Sequence, residues 1–353
     1  MRWLLAMLLF VPVSLGLHLS HAPEVWVFVT SALGIVPLAG YMGTATEELA
    51  KRFGPGIGGL LNATFGNATE LIISIIAIRA GQIEVVKASL IGSIIGNVLL
   101  VLGLSVLLGG LKHKIQVFNK DVAQSHSAML GVAVISLLVP ALFVSASHIS
   151  GAQGESRIQS LSTGVSVVLM VLYFGSLVFS LRTHESLFRN SEDSDADPPL
   201  WKKSRAFAVL VACTLAISLE SDLLVGSIDP VIEQWHINKV FLGIILIPLI
   251  GNAAEHSTAV MMALKNKMDI SLNIAISSST QIAMFAAPLI IFLSPMLGHP
   301  VSILFNTFEL AAVSAAAAIA VLISMDGKSH WLEGAQLLAT YLIVALAFYY
   351  IAG

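Results

Sequence analysis

The chain is 353 residues long, with 56% hydrophobic and 11% charged residues, whereas roughly a quarter of a soluble domain is charged. That balance excludes a soluble globular domain and describes a polytopic protein held in a lipid bilayer. A net charge of −3 excludes the basic surplus that nucleic acid would require, and the single cysteine, Cys213, excludes an intramolecular disulfide or a thiolate metal cluster.

Apolar runs of about 17–25 residues predict an all-α chain of about eleven transmembrane helices. They lie near 3–17, 24–43, 58–80, 84–108, 123–145, 160–181, 205–225, 238–264, 268–293, 300–324 and 331–352. The first run begins Met1-Arg2-Trp3, lacks a clear small-x-small cleavage site, and is retained as a span. Between the sixth and seventh spans, Arg182 to Arg205 includes Ser191-Glu192-Asp193-Ser194-Asp195-Ala196-Asp197-Pro198-Pro199 and reads as an acidic linker between two halves. Fourteen of the 18 basic residues share one side if the amino terminus is cytoplasmic. The positive-inside rule therefore places the terminus and the linker in the cytoplasm. Short loops without a targeting extension favour a prokaryotic plasma (inner) membrane.

The third span carries Gly66-Asn67-Ala68-Thr69-Glu70, and the eighth carries Gly251-Asn252-Ala253-Ala254-Glu255, 185 residues later. Phe118-Asn119 recurs as Phe305-Asn306 at nearly the same offset. Residues 1–20 are then an extra helix, 21–182 a first five-helix repeat, 183–204 the linker and 205–353 a second repeat. An odd number of spans per repeat turns the second copy upside down, the inverted plan of many secondary transporters.

Glu70 lies about 18 Å into its apolar run at ~1.5 Å per residue, near the middle of a ~30 Å hydrocarbon core. Holding a charge there costs at least ~2.5–3.5 kcal/mol, so two such glutamates in one five-residue frame mark a site. Asn67 and Glu70, like Asn252 and Glu255, are three apart and share a helix face. Gly66 and Gly251 weaken the helix just ahead, and Pro248 removes a backbone hydrogen bond. Each motif is therefore expected to be a broken helix whose freed carbonyls face a cation. The spans that follow add Ser93 and Asn97 in one half and Ser278 and Gln281 in the other. Two carboxylates with amides, hydroxyls and carbonyls suit Ca²⁺, with Mn²⁺ or Mg²⁺ next, and disfavour Cu or Zn. His256 points about 100° away from Glu255 and reads either as a proton relay or as packing. The other histidines read as incidental, and Glu309 as a hydrogen-bond anchor.

The motifs Gly66-Asn67-Ala68-Thr69-Glu70-Leu71-Ile72 and Gly251-Asn252-Ala253-Ala254-Glu255-His256-Ser257-Thr258-Ala259 resemble the two signature repeats of the calcium/proton (cation/H⁺) antiporters, within the calcium/cation antiporter superfamily. The resemblance implies that Glu70 and Glu255 alternately bind Ca²⁺ and protons, with Mn²⁺ or Cd²⁺ as further candidate substrates, and that no cofactor or enzyme chemistry is involved. It makes Asn67, Asn252, Ser93, Asn97, Ser278 and Gln281 the polar residues around them. It also implies that acids at the cytoplasmic ends of the second and seventh spans line the approach path. Glu47 and Glu48 match one such segment and Asp222, with Glu220 nearby, the other. Sodium-coupled relatives usually carry proline before the motif's acid, where Thr69 and Ala254 stand here. A Na⁺-coupled exchanger is thus the alternative; a channel or an intramembrane enzyme fits less well, since neither a filter nor a nucleophile motif is evident.

Overall fold

The computed structural model describes residues 2–147, 152–184 and 198–351. The linker acids Glu192, Asp193, Asp195 and Asp197 lie outside the described residues. The apolar runs fold as helices: α1 (Arg2–Met7), α2 (Phe10–Leu19), α3 (Glu24–Phe65), α4 (Ala68–Arg79), α5 (Ile83–Ile95), α6 (Leu102–His113), α7 (Lys120–Ser147) and α8 (Ala152–Val178) make the first half. The second half contains α9 (Lys203–Gly226), α10 (Ile228–Trp235), α11 (Lys239–Phe241), α12 (Ile247–Gly251), α13 (Ala253–Leu264), α14 (Met268–Gln281), α15 (Ala287–Leu293), α16 (Thr307–Ile323) and α17 (Trp331–Tyr350). Among the described residues, seven helices are long and apolar enough to cross a membrane. They are Glu24–Phe53, Ile83–His113, Lys120–Ser147, Gly154–Thr183, Lys203–Gly226, Met268–Leu297 and Trp331–Tyr350.

Three local features differ from expectation. The loop expected between the second and third spans is helical, because hydrogen bonding continues through α3. Residues eight apart on a straight helix are ~12 Å apart, yet a Cβ on Gly58 would lie 2.8 Å from the Ala50 carbonyl oxygen. Helix α3 therefore doubles back near Gly54-Pro55-Gly56, where proline has no N–H to bond. Helix α10 was not expected, and it meets the α11–α12 segment at a 116° bend. The chain also departs from purely helical: Ile115–Val117 (β1) and Lys328–His330 (β2) pair antiparallel, Gln116 opposite Ser329, and so join the two halves.

Burial sorts the helices. The apolar window of Ile83–His113 is 83% buried and that of Met268–Leu297 61%, against 17% for Gly154–Thr183 and 22% for Trp331–Tyr350. The first pair forms the centre, and the second presents side chains such as Val168, Val171 and Leu346 outward, as a bilayer requires. Helices α3 and α9 pack against each other lengthwise, with α2 alongside. Both copies of the repeated Phe-Asn pair start a helix. Asn119 accepts from the amides of Asp121 and Val122, and Asn306 forms a capping box with Glu309, both bonds 2.8 Å. Glu309 is thus an anchor.

Candidate functional site

Each glutamate motif sits at an interruption. The residue out of helical geometry is asparagine, not glycine: Asn67 has φ −107° and ψ 25°, and Asn252 φ −94° and ψ 5°. Gly66 keeps helical angles, so the interruption expected in each motif falls on the residue after the glycine. The role of the glycines is space. A Cβ on Gly251 would lie 3.1 Å from Glu70 Oε1, and one on Gly66 would lie 3.6 Å from Gln281 Oε1. Helices α4 and α13 restart directly after the asparagines, which places Glu70 and Glu255 in the first turn of each. There the positive end of the helix dipole faces them.

The two halves interlock reciprocally. Asn67 of the first half donates to Gln281 Oε1 at 2.8 Å and accepts from Ser278 Oγ at 3.2 Å. Asn252 of the second half donates to Ser93 Oγ at 3.3 Å and to the Pro248 carbonyl at 3.1 Å. The Glu70 carboxylate of the first half lies against Gly251, four residues before Glu255 in the second. Both glutamates are half-buried, whereas Asn67, Asn97, Ser93, Asn252 and Ser278 are buried. Asn252 Oδ1 and Glu255 Oε2 have no hydrogen-bond partner. A hard cation takes six to eight oxygen ligands, and the unpaired Asn252 Oδ1 beside the carboxylates of Glu70 and Glu255 is what such an ion would find. Asn97 Nδ2 and His256 Nε2 are likewise without a partner.

Toward their Gln82 and Lys239 ends, α5 and the segment joining α11 to α12 are closed against each other. One turn above Asn97, Gly92 meets the backbone of Ile244, and Gly243 meets Ala88. A side chain at either glycine would push α5 away from the segment joining α11 to α12. Sequence reading missed this pair, because the 185-residue offset sets Gly92 against Ser277 and Gly243 against Gly58, so neither glycine announces the other.

The acids expected to line one approach path lie at opposite ends of α3 and α9. Glu48 accepts from the Trp201 amide at 2.6 Å, just before α9 begins, and Arg52 bonds the Trp201 carbonyl. Glu47 is exposed beside Lys51 at 2.9 Å. Glu220 and Asp222 belong to the last turns of α9, about 25 Å along the helix from Lys203. There Ser227 bonds Glu24 at the start of α3, at 2.8 Å. The helices are antiparallel, so their matching segments face opposite ends, which corrects the shared cytoplasmic placement. Glu220 is fully buried and accepts from Ser14 of α2 at 2.8 Å, while Asp222 is exposed. Glu220 therefore holds α2 against α9, a contact between distant segments that no local pattern announces.

The pattern of the family described as sodium/calcium exchanger protein matches residues 23–182 and 205–350. A Ca²⁺/H⁺ antiporter of Aphanothece halophytica is 46% identical, over 98% of this chain and 95% of its own length. The Ca²⁺/H⁺ antiporter ChaA of Bacillus subtilis is 42% identical, over 96% of each chain. The solved structure of native YfkE superposes with a TM-score of 0.85 at 39% identity, over 98% of this chain and 99% of that one. With a match spanning both halves and full-length relatives above 40% identity, the chain belongs to the sodium/calcium exchanger protein family.

Proposed function

We propose that this protein is a secondary antiporter that exchanges cytosolic Ca²⁺ for H⁺. The observation that carries the reading is the meeting of Glu70 and Glu255, one from each half, inside a frame of reciprocal Asn–Ser bonds. A bound divalent cation neutralises the pair, and so do protons, so the two occupants exclude one another. Exclusive occupancy with a site that opens to one side at a time gives exchange without ATP. The relatives named as Ca²⁺/H⁺ antiporters support the same assignment.

The finer architecture is eleven spans, an extra helix at 1–20 and inverted five-helix repeats at 21–182 and 205–353, a division supported by the twofold family match. The two helices that meet lengthwise, α3 and α9, are the elements that slide. Glu47 and Glu48 face one approach and Asp222 the other, while the linker at 183–204 tunes transport from the cytoplasmic face of a prokaryotic inner membrane. His256 adjusts proton exchange at Glu255, and Mn²⁺ or Cd²⁺ compete with Ca²⁺. The test is Ca²⁺ uptake into proteoliposomes under an imposed pH gradient, with an imposed Na⁺ gradient at equal pH as comparison. Uptake driven by the pH gradient, indifferent to Na⁺ and lost in Glu70→Gln and Glu255→Gln is expected. Uptake driven only by Na⁺ refutes the proton coupling.

A further inference from the structure

Two cavities lie beside the central site and meet at His126. The first, about 90 Å³, lies between α7 and α14, has the exposed Asn119 at its rim, and is lined by Asp269 and Asn273. The second, about 80 Å³, lies between α7, α8 and α14 and is lined by Ser125, Tyr173, Ser277 and Gln281. His126 of α7 lines both.

The sequence of α14 explains why the cavities are polar. Asp269, Asn273, Ser277 and Gln281 follow one another at intervals of four, so they form one row along the helix. The row begins in the first turn of α14 and ends on the side chain that holds Asn67. Across from it, the Tyr173 hydroxyl is buried without a hydrogen-bond partner. The titratable groups along the route are Asp269 on α14, His126 on α7 and Tyr173 on α8.

Size decides what can pass. A water molecule occupies about 30 Å³, so each cavity holds two or three. Calcium with six waters occupies roughly 180 Å³, so the ion would shed waters to enter, whereas a proton needs only a chain of them. Among the described residues, the corresponding row of the other half is packed shut. Counting back 185 residues from Asp269, Asn273 and Ser277 gives Glu84, Ala88 and Gly92. Ala88 and Gly92 are pressed against Gly243 and Ile244, which closes that row.

We propose that protons reach Glu70 and Glu255 through this hydrated passage between α7 and α14, apart from the path of Ca²⁺, with His126 as its constriction. The proposal rests on the antiport reading. His126 acts by its size and polarity, so an asparagine in its place keeps the passage open and a phenylalanine closes it.

The experiment compares two fluxes in proteoliposomes: Ca²⁺ uptake driven by a pH gradient, and exchange of isotopic Ca²⁺ for Ca²⁺ at equal pH, which moves no net protons. His126→Phe is expected to slow the first about tenfold and leave the second within twofold of wild type, and His126→Asn to keep both. Asn273→Leu, which fills the outer cavity from the other helix, is expected to repeat the selective loss and carries the test if His126→Phe fails to fold. Parallel loss of both fluxes, or no loss of either, overturns the separate route. A wild-type protein without uptake driven by the pH gradient refutes the antiport reading itself, whatever the variants do.

Discussion

Substituting Gly92 by alanine adds one methyl group where two helix backbones touch. That Cβ would overlap the Ile244 carbonyl oxygen and lie 2.5 Å from Ile244 Cα and 2.6 Å from its carbonyl carbon, whereas ordinary contacts begin at 3.4 Å. The obstacle is backbone on both sides, so no side chain can swing away and the helices must part by more than about 0.9 Å. Inserting a methylene into a packed core costs typically ~1–3 kcal/mol, and this site belongs at the upper end of that range. The loss of stability is accompanied by loss of transport, because the closed face of the site depends on that contact. Gly96, four residues on, has nothing within 4 Å of an added Cβ. Gly96→Ala is therefore expected to be neutral, or to gain up to ~1 kcal/mol of helix propensity. The assay is thermal unfolding in detergent with pH-driven Ca²⁺ uptake, both variants side by side. If Gly92→Ala is as stable and as active as Gly96→Ala, the account of the closed face is refuted.

Ser278→Ala removes a hydroxyl that donates to Asn67 in the frame around the two glutamates. At ~1–2 kcal/mol it should raise the Ca²⁺ concentration for half-maximal uptake about 5–30-fold, and an unchanged value in initial-rate measurements would count against a binding role. Ser14→Ala leaves the buried Glu220 carboxylate without its partner, for a loss of ~1–3 kcal/mol. Adding Glu220→Leu should restore stability toward wild type in detergent unfolding, and failure to recover would show that Ser14 acts otherwise. Near the Lys239 end, the Lys239 ammonium, bonded at 2.9 Å, holds the exposed Asp229 carboxyl below the usual range, and Gln82 adds a second bond at 2.8 Å. Because the folded-state value is depressed, this contribution is present above about pH 4 and fades as pH falls through the folded value. The stability difference between wild type and Asp229→Asn should shrink on acidification from pH 6 to pH 3; a difference that grows would contradict that sign.

Hydropathy and local motif chemistry settled much of this protein before any coordinates. A glutamate in a 20-residue apolar run is costly wherever the helix packs, so Glu70 and Glu255 stood out from composition alone. Their shared frame predicted the meeting of two halves, and the structure brings them together. Asn306 and Glu309 form the capping box that their three-residue spacing permits. Such conclusions were available because hydrophobicity, helix period and capping are properties of short stretches of chain.

Contacts between distant segments were decided only by the tertiary structure. Nothing near Ser14 indicates Glu220, 206 residues away, and no local pattern puts Glu48 against the backbone of Trp201. Gly54-Pro55-Gly56 read as a loop, yet the chain there stays helical while reversing direction. Gly251, expected to weaken its helix, is also a point of close approach to Glu70, because a missing Cβ can serve either purpose and only the neighbour decides which. The four polar residues spaced along α14 were visible in the sequence as a row, but a row acquires meaning only when cavities open beside it. Sequence specifies what each segment can do, and packing selects which of those capacities another segment meets.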